Sequence, residues 1–212
     1  MIKFYYSTAP NPMKVALCLE EMELPYEPIP VDTRKGMQHK PEFLALNPNA
    51  KVPCIVDGEI VVFDSNAIVL YLAEKTGKFL PKEPKARAHT VQWLMWQMGG
   101  LGPMLGQVHH FVKYNAGKAP YAEERFSKEA KRLYGVLDRQ LALAPFVAGE
   151  YSIADMSIWP WISRFEWQGI DLNTYPNVKR WYVEIANRPA VQRGYHVPVK
   201  QPTIPMPGSL PI

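Results

Sequence analysis

Cysteine is scarce in this 212-residue chain: Cys18 and Cys54 are far apart and form no C-x-x-C spacing. That excludes a small disulfide scaffold and a cysteine-based structural zinc site, and it fits a reducing, cytoplasmic compartment. No stretch approaches the roughly 18 uninterrupted apolar residues of a membrane span. The opening Met1-Ile2-Lys3-Phe4-Tyr5-Tyr6 lacks the apolar core of a signal peptide, so no membrane association is expected. Charge of one sign is also limited. Lys and Arg total 24 against 20 Asp and Glu, a net charge of +4, and the densest basic cluster (Lys82, Lys85, Arg87) is interrupted by other residue types. Such a chain suits an anionic small ligand but lacks the basic stripe expected of a nucleic-acid binder. Internal repeats and low-complexity tracts are absent. His109 and His110 are adjacent and lack the i, i+4 spacing of a helical metal pair, so no metal site is expected.

What is present is ordinary for a globular protein: 47% hydrophobic and 21% charged residues. At roughly 150 residues per domain, the length predicts one or two domains. The two halves read differently. Residues 2–6 are aromatic and β-branched and read as a strand, and 11–23 carry Val15, Ala16, Leu19 and Met22 at helical spacing. Residues 26–31 read as a strand whose prolines suit an edge, and 42–46 as a short helix. Residues 52–56 and 60–63 flank Asp57-Gly58-Glu59 as a hairpin, and 65–74 place Ile68, Val69 and Leu72 on one helical face. The order is β-α-β-α-β-β-α, followed by a punctuated linker over 77–84. Beyond it, 85–111, 122–143, 153–168 and 177–187 all carry helical periodicity. The expectation is an α/β domain over 1–80, an all-helical domain over 86–197 and an extended proline-rich tail over 198–212, with Pro198, Pro202, Pro205, Pro207 and Pro211.

Three segments carry candidate chemistry, each beside a plainer alternative. Pro53 opens a strand and donates no ladder hydrogen bond; a cis Val52-Pro53 bond would turn the Val52 backbone outward to pair with an extended peptide, a trans bond would be an ordinary strand start. At Phe63-Asp64-Ser65-Asn66, a strand runs into a helix start. Asp64 or Ser65 either caps that helix or uses its free N–H groups to hold a carboxylate, with Asp64 able to pair with a ligand ammonium. Ser7-Thr8-Ala9-Pro10-Asn11-Pro12 joins the first strand to the first helix, a favoured place for ligands, where hydroxyl and amide donors can stabilise an anion or simply form a turn.

Taken together, in this order and before an all-helical half, these segments resemble a cytosolic glutathione transferase. Ala9-Pro10-Asn11 resembles the Thr-Pro-Asn turn of the bacterial Nu class of glutathione-dependent disulfide-bond oxidoreductases. The run Gly99-Gly100-Leu101-Gly102-Pro103-Met104, with His109-His110-Phe111 after it, looks like the fourth-helix signature of that group. Ser152-Ile153-Ala154-Asp155 resembles the capping box shared across glutathione transferases. The resemblance covers roughly 1–195. It implies a thioredoxin-like N-terminal domain with a cis Val52-Pro53 bond, and glutathione as co-substrate with no permanently bound cofactor. Val52 would pair through its backbone with the cysteinyl unit, Asp64 would accept the γ-glutamyl ammonium and Ser65 would hold its carboxylate. Gln38 and Arg132 would reach the peptide or a second glutathione, and Asn49 and Lys51 lie beside the glycyl end. Ala9 departs from the pattern: the Thr hydroxyl is missing, which leaves Asn11, and Thr8 beside it, as donors to the sulfur. The family's usual homodimer is a further implication.

The mechanism that follows uses a glutathione thiolate against a small disulfide, or an organic hydroperoxide, because the protein offers no cysteine pair of its own. Conjugation of glutathione to an electrophile is one alternative, and a non-catalytic ligand-binding or regulatory role is another, kept open by the lost hydroxyl at Ala9. Tyr5 and Tyr6 receive no role. Cys18 and Cys54 read as small core residues, and one of the adjacent histidines as pocket-lining. The aromatic run Trp159, Trp161, Phe165, Trp167 reads as helix core, and Gly99, Gly100 and Gly102 with Pro103 as a kink. Ser152 and Asp155 are structural: Ser152 caps, Asp155 reaches back, and Tyr151 can staple onto Met156.

Overall fold

Alternation in β1 (Ile2–Tyr6) buries Ile2, Phe4 and Tyr6 on one face and turns Tyr5 to the other. Parallel to β1 runs β2 (Tyr26–Pro30), on the sheet edge where Pro28 and Pro30 leave no central ladder bond unmade. Antiparallel to β1 on its other side is β3 (Cys54–Asp57), which pairs in turn with β4 (Ile60–Phe63) through the Asp57–Ile60 hairpin. The sheet order is β2-β1-β3-β4. This is a computed structural model, and it describes residues 1–197 and 203–208. The helices between these strands are α1 (Pro10–Glu21), the short α2 (Pro41–Leu44) and α3 (Ser65–Thr76). The expected β-α-β-α-β-β-α order is therefore present. On the Tyr5 side of the sheet, Val31, Phe43 and Cys54 form a small core with Met37, Leu46 and Val52 against it.

The helical half contains α4 (Pro84–Trp96), α5 (Gly102–Val108), α6 (Pro120–Leu141), α7 (Ile153–Ile162) and α8 (Pro176–Ala186), and α9 (Pro189–Tyr195) follows. Pro stands at the first helical position of α1, α2, α4, α6, α8 and α9. Its missing N–H costs nothing there and its fixed φ is already helical, so much of the chain's proline content marks helix starts.

Three expectations need correcting. The stretch 85–111 is not one regular helix: π-helical turns at Gln97–Leu101 and His109–Tyr114 bracket α5. The glycines divide the work. A Cβ on Gly102 would lie 2.6 Å from Gln97 Nε2, so Gly102 makes room for the buried Gln97 side chain, while Gly99 and Gly100 face open space. The helix expected over 153–168 stops at Ile162, because Pro160 removes an N–H from its interior and Ser163 Oγ donates to the Pro160 carbonyl at 2.8 Å; a 3₁₀ turn, Phe165–Gln168, follows. The helical domain expected over 86–197 also loses its last helix, because α9 packs on α1 within the first unit.

The described residues divide into two compact units, 1–80 with 188–197 and 203, and 81–187 with 204–208. In the first, Gly194 of α9 lies so close to α1 that a Cβ there would meet Leu17 Cδ2 at 2.9 Å, and Arg188 forks onto Glu21 at 2.6 and 2.8 Å. In the second, the core is aromatic, with Trp159 stacked on Tyr182. Of the proline-rich tail, Ile204 is buried in this unit and the Pro205 carbonyl accepts from Tyr182 Oη at 2.7 Å; Pro198, Pro202 and Pro211 lie outside the described residues. No helix of the described residues is long and apolar enough to cross a membrane.

Ser152 and Asp155 form a complete capping box on α7. Asp155 is fully buried, and its carboxylate accepts from Val147 N–H (3.0 Å), Ser152 N–H (3.0 Å), Ser152 Oγ (3.2 Å) and Trp181 Nε1 (2.8 Å).

Candidate functional site

Strand register assembles the site. Tyr5 pairs with Cys54 and Cys54 with Phe63, so one end of the sheet gathers the carboxyl end of β1, the entry to β3 and the exit of β4. The turn into α1, the Val52-Pro53 step and the turn into α3 all emerge there. Thr8, Asn11, Val52, Pro53, Asp64 and Ser65 thus belong to one edge of the first unit.

The Val52-Pro53 bond is cis. Val52 is half-buried, and among the described residues neither its N–H nor its carbonyl makes a backbone hydrogen bond. The loop before it is held by Asn47, a residue the sequence reading passed over. Its buried amide donates to the Lys51 carbonyl at 2.6 Å and accepts from Asn49 N–H at 2.9 Å, and Ala50 takes a positive φ of 53°. The Lys51 side chain is exposed.

Asp64 has φ 72° and ψ 125°, a strained backbone for a non-glycine residue and a feature no sequence motif announces. Its Oδ1 accepts from both Asn66 N–H (2.9 Å) and Ala67 N–H (3.1 Å), and its carbonyl accepts from Ile68 N–H (2.9 Å). Three of the four first-turn donors of α3 are therefore spent. The fourth, Ser65 N–H, is not, and Oδ2 of Asp64 remains to accept a cation. Of the two candidate caps, Asp64 is the one that caps. Ser65 is 2% exposed, and its Oγ accepts from the Lys14 ammonium at 3.1 Å. A carboxylate beside two donors on Ser65 matches the two charges of an α-amino-acid group.

The first helix end is poorer in donors. Ala9 is its N-cap, with no side-chain cap bond, and Pro10 and Pro12 remove two first-turn N–H groups. Met13 N–H is spent on the Ala9 carbonyl at 3.2 Å, and Asn11 is the only residue between the two prolines at that turn that carries an N–H. Thr8 is exposed, and with Tyr6, Ser7, Val31, Asp32 and Arg34 it lines a cavity of about 490 Å³ beyond β1 and β2. Gln38 lies in a 3₁₀ turn after β2, and its buried Oε1 has no hydrogen-bond partner among the described residues, an acceptor ready for an N–H.

Arg132 belongs to the second unit. Its guanidinium forks onto Glu129 at 2.7 Å twice, is 58% exposed, and borders a cavity of about 590 Å³ with Arg125, Lys128, Phe126 and Met104. His109, also in that unit, is buried and neutral: burial and the Arg164 charge pull it down to about 4. Its ring meets the Gln168 amide at 3.2 Å and stacks on Trp161, a packing role. His110 lies on Phe111. Cys18 and Cys54 are buried thiols outside any disulfide, and burial raises both, Cys54 to about 11, so neither is a thiolate near neutrality. Tyr6 belongs to the core and Tyr5 packs edge-on against Phe43. Among the described residues no group of three or more His, Cys, Asp or Glu is placed to hold a metal ion.

The largest departure from the sequence reading is Lys14. It is 0% exposed, and its Nζ donates to Ser65 Oγ and Asn66 Oδ1, each at 3.1 Å. Burial lowers it to about 7, against the pull of Asp64. The available signal was its place inside an unbroken apolar helix segment, Met13 to Leu19.

Comparison with known proteins gives a consistent result. Residues 8–75 match the N-terminal domain of glutathione S-transferases and 120–184 their C-terminal domain. The chain is 52% identical over 198 residues to disulfide-bond oxidoreductase YfcG of Escherichia coli, covering 90% of this chain and 92% of that one. It is 41% identical to disulfide-bond oxidoreductase YghU of the same organism, covering 91% and 73%. A glutathione transferase from Pseudomonas putida, solved with one glutathione disulfide per subunit, superposes with a TM-score of 0.88 at 40% identity, covering 93% and 91%.

Proposed function

The chain belongs to the glutathione S-transferase family, and from that premise we propose that it is a glutathione-dependent thiol–disulfide oxidoreductase. The observation that carries the reading is the α3 turn, where the two unspent donors on Ser65 stand beside the Asp64 carboxylate, a match to the γ-glutamyl end of glutathione. Val52 presents an unpaired N–H and carbonyl for the cysteinyl unit, Gln38 an unpaired acceptor, and Lys51 a cation for the glycyl carboxylate. Arg132, with Arg125 and Lys128 around its cavity, is assigned to a second anionic tripeptide.

Disulfide chemistry is favoured because YfcG and YghU carry that name and because both protein thiols are buried, so the reacting sulfur is that of glutathione. A free thiol of pKa about 8.5 is only a few per cent ionised at neutral pH. Asn11 and the positive end of α1, with Thr8 nearby, favour its anion. The bound thiolate attacks one sulfur of the substrate disulfide, forming a mixed disulfide and releasing one substrate thiolate. A second glutathione thiolate then attacks the glutathione sulfur of the mixed species, giving glutathione disulfide and the second substrate thiolate, and both released thiolates take up protons. The same reading has the enzyme cytoplasmic and homodimeric.

The test is steady-state reduction of hydroxyethyl disulfide by glutathione, with an aromatic chloro-electrophile run in parallel. Disulfide turnover well above conjugation is expected. The reverse ratio would assign the protein to the conjugating transferases, and no turnover of either would leave ligand binding as its role.

A further inference from the structure

Lys14 occupies a costly position. A fully desolvated ammonium is unfavourable, and this one is aimed at the first turn of α3, where the partial positive end of a helix opposes a cation. An apolar side chain would fill the same space without that cost. The charge of Asp64 offsets part of it, and a second anion at the same turn would offset more.

The hydrogen bonds show what the cation does to Ser65. A hydroxyl has one hydrogen and two lone pairs. Lys14 donates into Ser65 Oγ at 3.1 Å, so the acceptor side of the hydroxyl is engaged by a cation. Among the described residues the Ser65 hydroxyl hydrogen meets no acceptor, and the Ser65 N–H is likewise unspent. The second contact, to Asn66 Oδ1, fixes the ammonium against the same turn. Without it, Ser65 Oγ would be free to act as an acceptor.

We propose that Lys14 is a positioning residue for glutathione recognition: by holding the acceptor side of Ser65 Oγ it commits that hydroxyl to donating, and its charge selects an α-carboxylate at the α3 turn. The proposal rests on the glutathione reading above and names the part of glutathione that Lys14 serves. It also predicts a pH dependence. The groups facing Lys14 include Asp64, the N-cap of α3, Ser65 and Asn66 from α3 and Cys18 from its own helix, and Cys18 stays a thiol because burial raises it. Loss of the Lys14 charge as pH rises past about 7 therefore weakens carboxylate binding.

The experiment is calorimetric titration of the full-length protein and of Lys14→Met and Lys14→Gln with two thiol-blocked probes. One is S-methylglutathione; the other is its 4-aminobutanoyl analogue, which keeps the ammonium and lacks the α-carboxylate. Both variants are expected to lose at least about tenfold in affinity for S-methylglutathione, and to bind the analogue as the wild type does. Wild-type affinity for S-methylglutathione is expected to fall between about pH 6.5 and 8.5, with a flatter profile in Lys14→Met. Equal losses for both probes, an unchanged S-methylglutathione affinity, or identical pH profiles overturn the Lys14 role while leaving the oxidoreductase reading intact. Failure of the wild type to bind S-methylglutathione overturns both. Melting temperatures of the variants separate misfolding from altered recognition.

Discussion

Replacing Asp155 with Ala tests the core of the helical unit most sharply. The side chain is 0% exposed and satisfies three donors outside its own capping serine hydroxyl: Val147 N–H at 3.0 Å, Ser152 N–H at 3.0 Å and Trp181 Nε1 at 2.8 Å. Each donor left buried and unsatisfied costs about 1–3 kcal/mol. Water entering the carboxylate-sized space would restore part of that, so the lower end, about 1 kcal/mol each, applies. Loss of the reciprocal cap on α7 adds about 1 kcal/mol, for a total near 4 kcal/mol. For a chain of this size that corresponds to a fall of about 8–16 °C in melting temperature. Urea unfolding followed by tryptophan fluorescence reads it directly, since Trp181 is itself one of the stranded donors. Ser152→Ala removes only the Oγ contacts to Ala154 N–H and Asp155 and is expected to cost about 1 kcal/mol, with turnover unchanged. Because both residues serve one network, the double variant is expected to cost less than the two single losses together. A loss below about 1.5 kcal/mol for Asp155→Ala would refute the reasoning, since the buried donors would then have found other partners.

Asn11→Ala is expected to lower disulfide turnover at least about tenfold at saturating glutathione while leaving most of its binding, because it removes the side-chain amide proposed to favour the thiolate and keeps the backbone N–H of the α1 turn; unchanged turnover would remove that side chain from the mechanism. Gly194→Ala sets a helix-propensity gain of about 1 kcal/mol against backbone contacts with α1 at 3.2 Å that cannot yield. Overpacking of about 1–3 kcal/mol is expected to win, as a net loss in urea unfolding, and a stabilised variant would show that α9 does not pack tightly on α1.

What could be read from the sequence was what local chemistry decides. Period-two runs, the Asp57-Gly58 pair and apolar helical faces determine element type, and they sufficed for the β-α-β-α-β-β-α order. Asp64 and Ser65 were legible as a pair because a strand running into a helix start leaves unspent donors whichever residue caps. Which one caps depends on a positive φ at Asp64, a backbone state set by the strand and helix on either side. Lys14 was out of reach for a similar reason. A lysine in a helix is normally exposed, and only the approach of α3 to α1 encloses it. The π turns were half legible: the glycines marked a disturbed helix, but only Gln97 folding over Gly102 shows why that glycine is needed. Membership of α9 in the first unit depends on a contact between residues some 170 positions apart in sequence, Glu21 to Arg188 and Glu20 to Arg193, and no local pattern encodes it.

Ala9 gives the reading its most discriminating reversal. Its backbone, φ −153° and ψ 159°, is the extended conformation of an N-cap, so a threonine fits there without strain. A cap side chain accepts from the second or third helical N–H, and the third here is Pro12, which has none. Only Asn11 N–H remains, and the stability gained from Ala9→Thr is therefore expected at the low end of the capping range, about 0.5 kcal/mol. The threonine hydroxyl has a second capability, since an oxygen accepting from Asn11 N–H can still donate its hydrogen. Donated to the glutathione sulfur, that hydrogen stabilises the thiolate, and a charge-assisted bond of about 1.5–3 kcal/mol lowers the thiol pKa by about 1–2 units. For a thiol starting near 8.5, the ionised fraction at neutral pH would then rise from a few per cent to between about a quarter and three quarters. The ultraviolet thiolate absorbance of bound glutathione, titrated with pH in wild type and Ala9→Thr, measures this. If stability rises and the titration does not move, the hydroxyl caps the helix without reaching the sulfur, and the thiolate here is formed by Asn11 and the helix end alone.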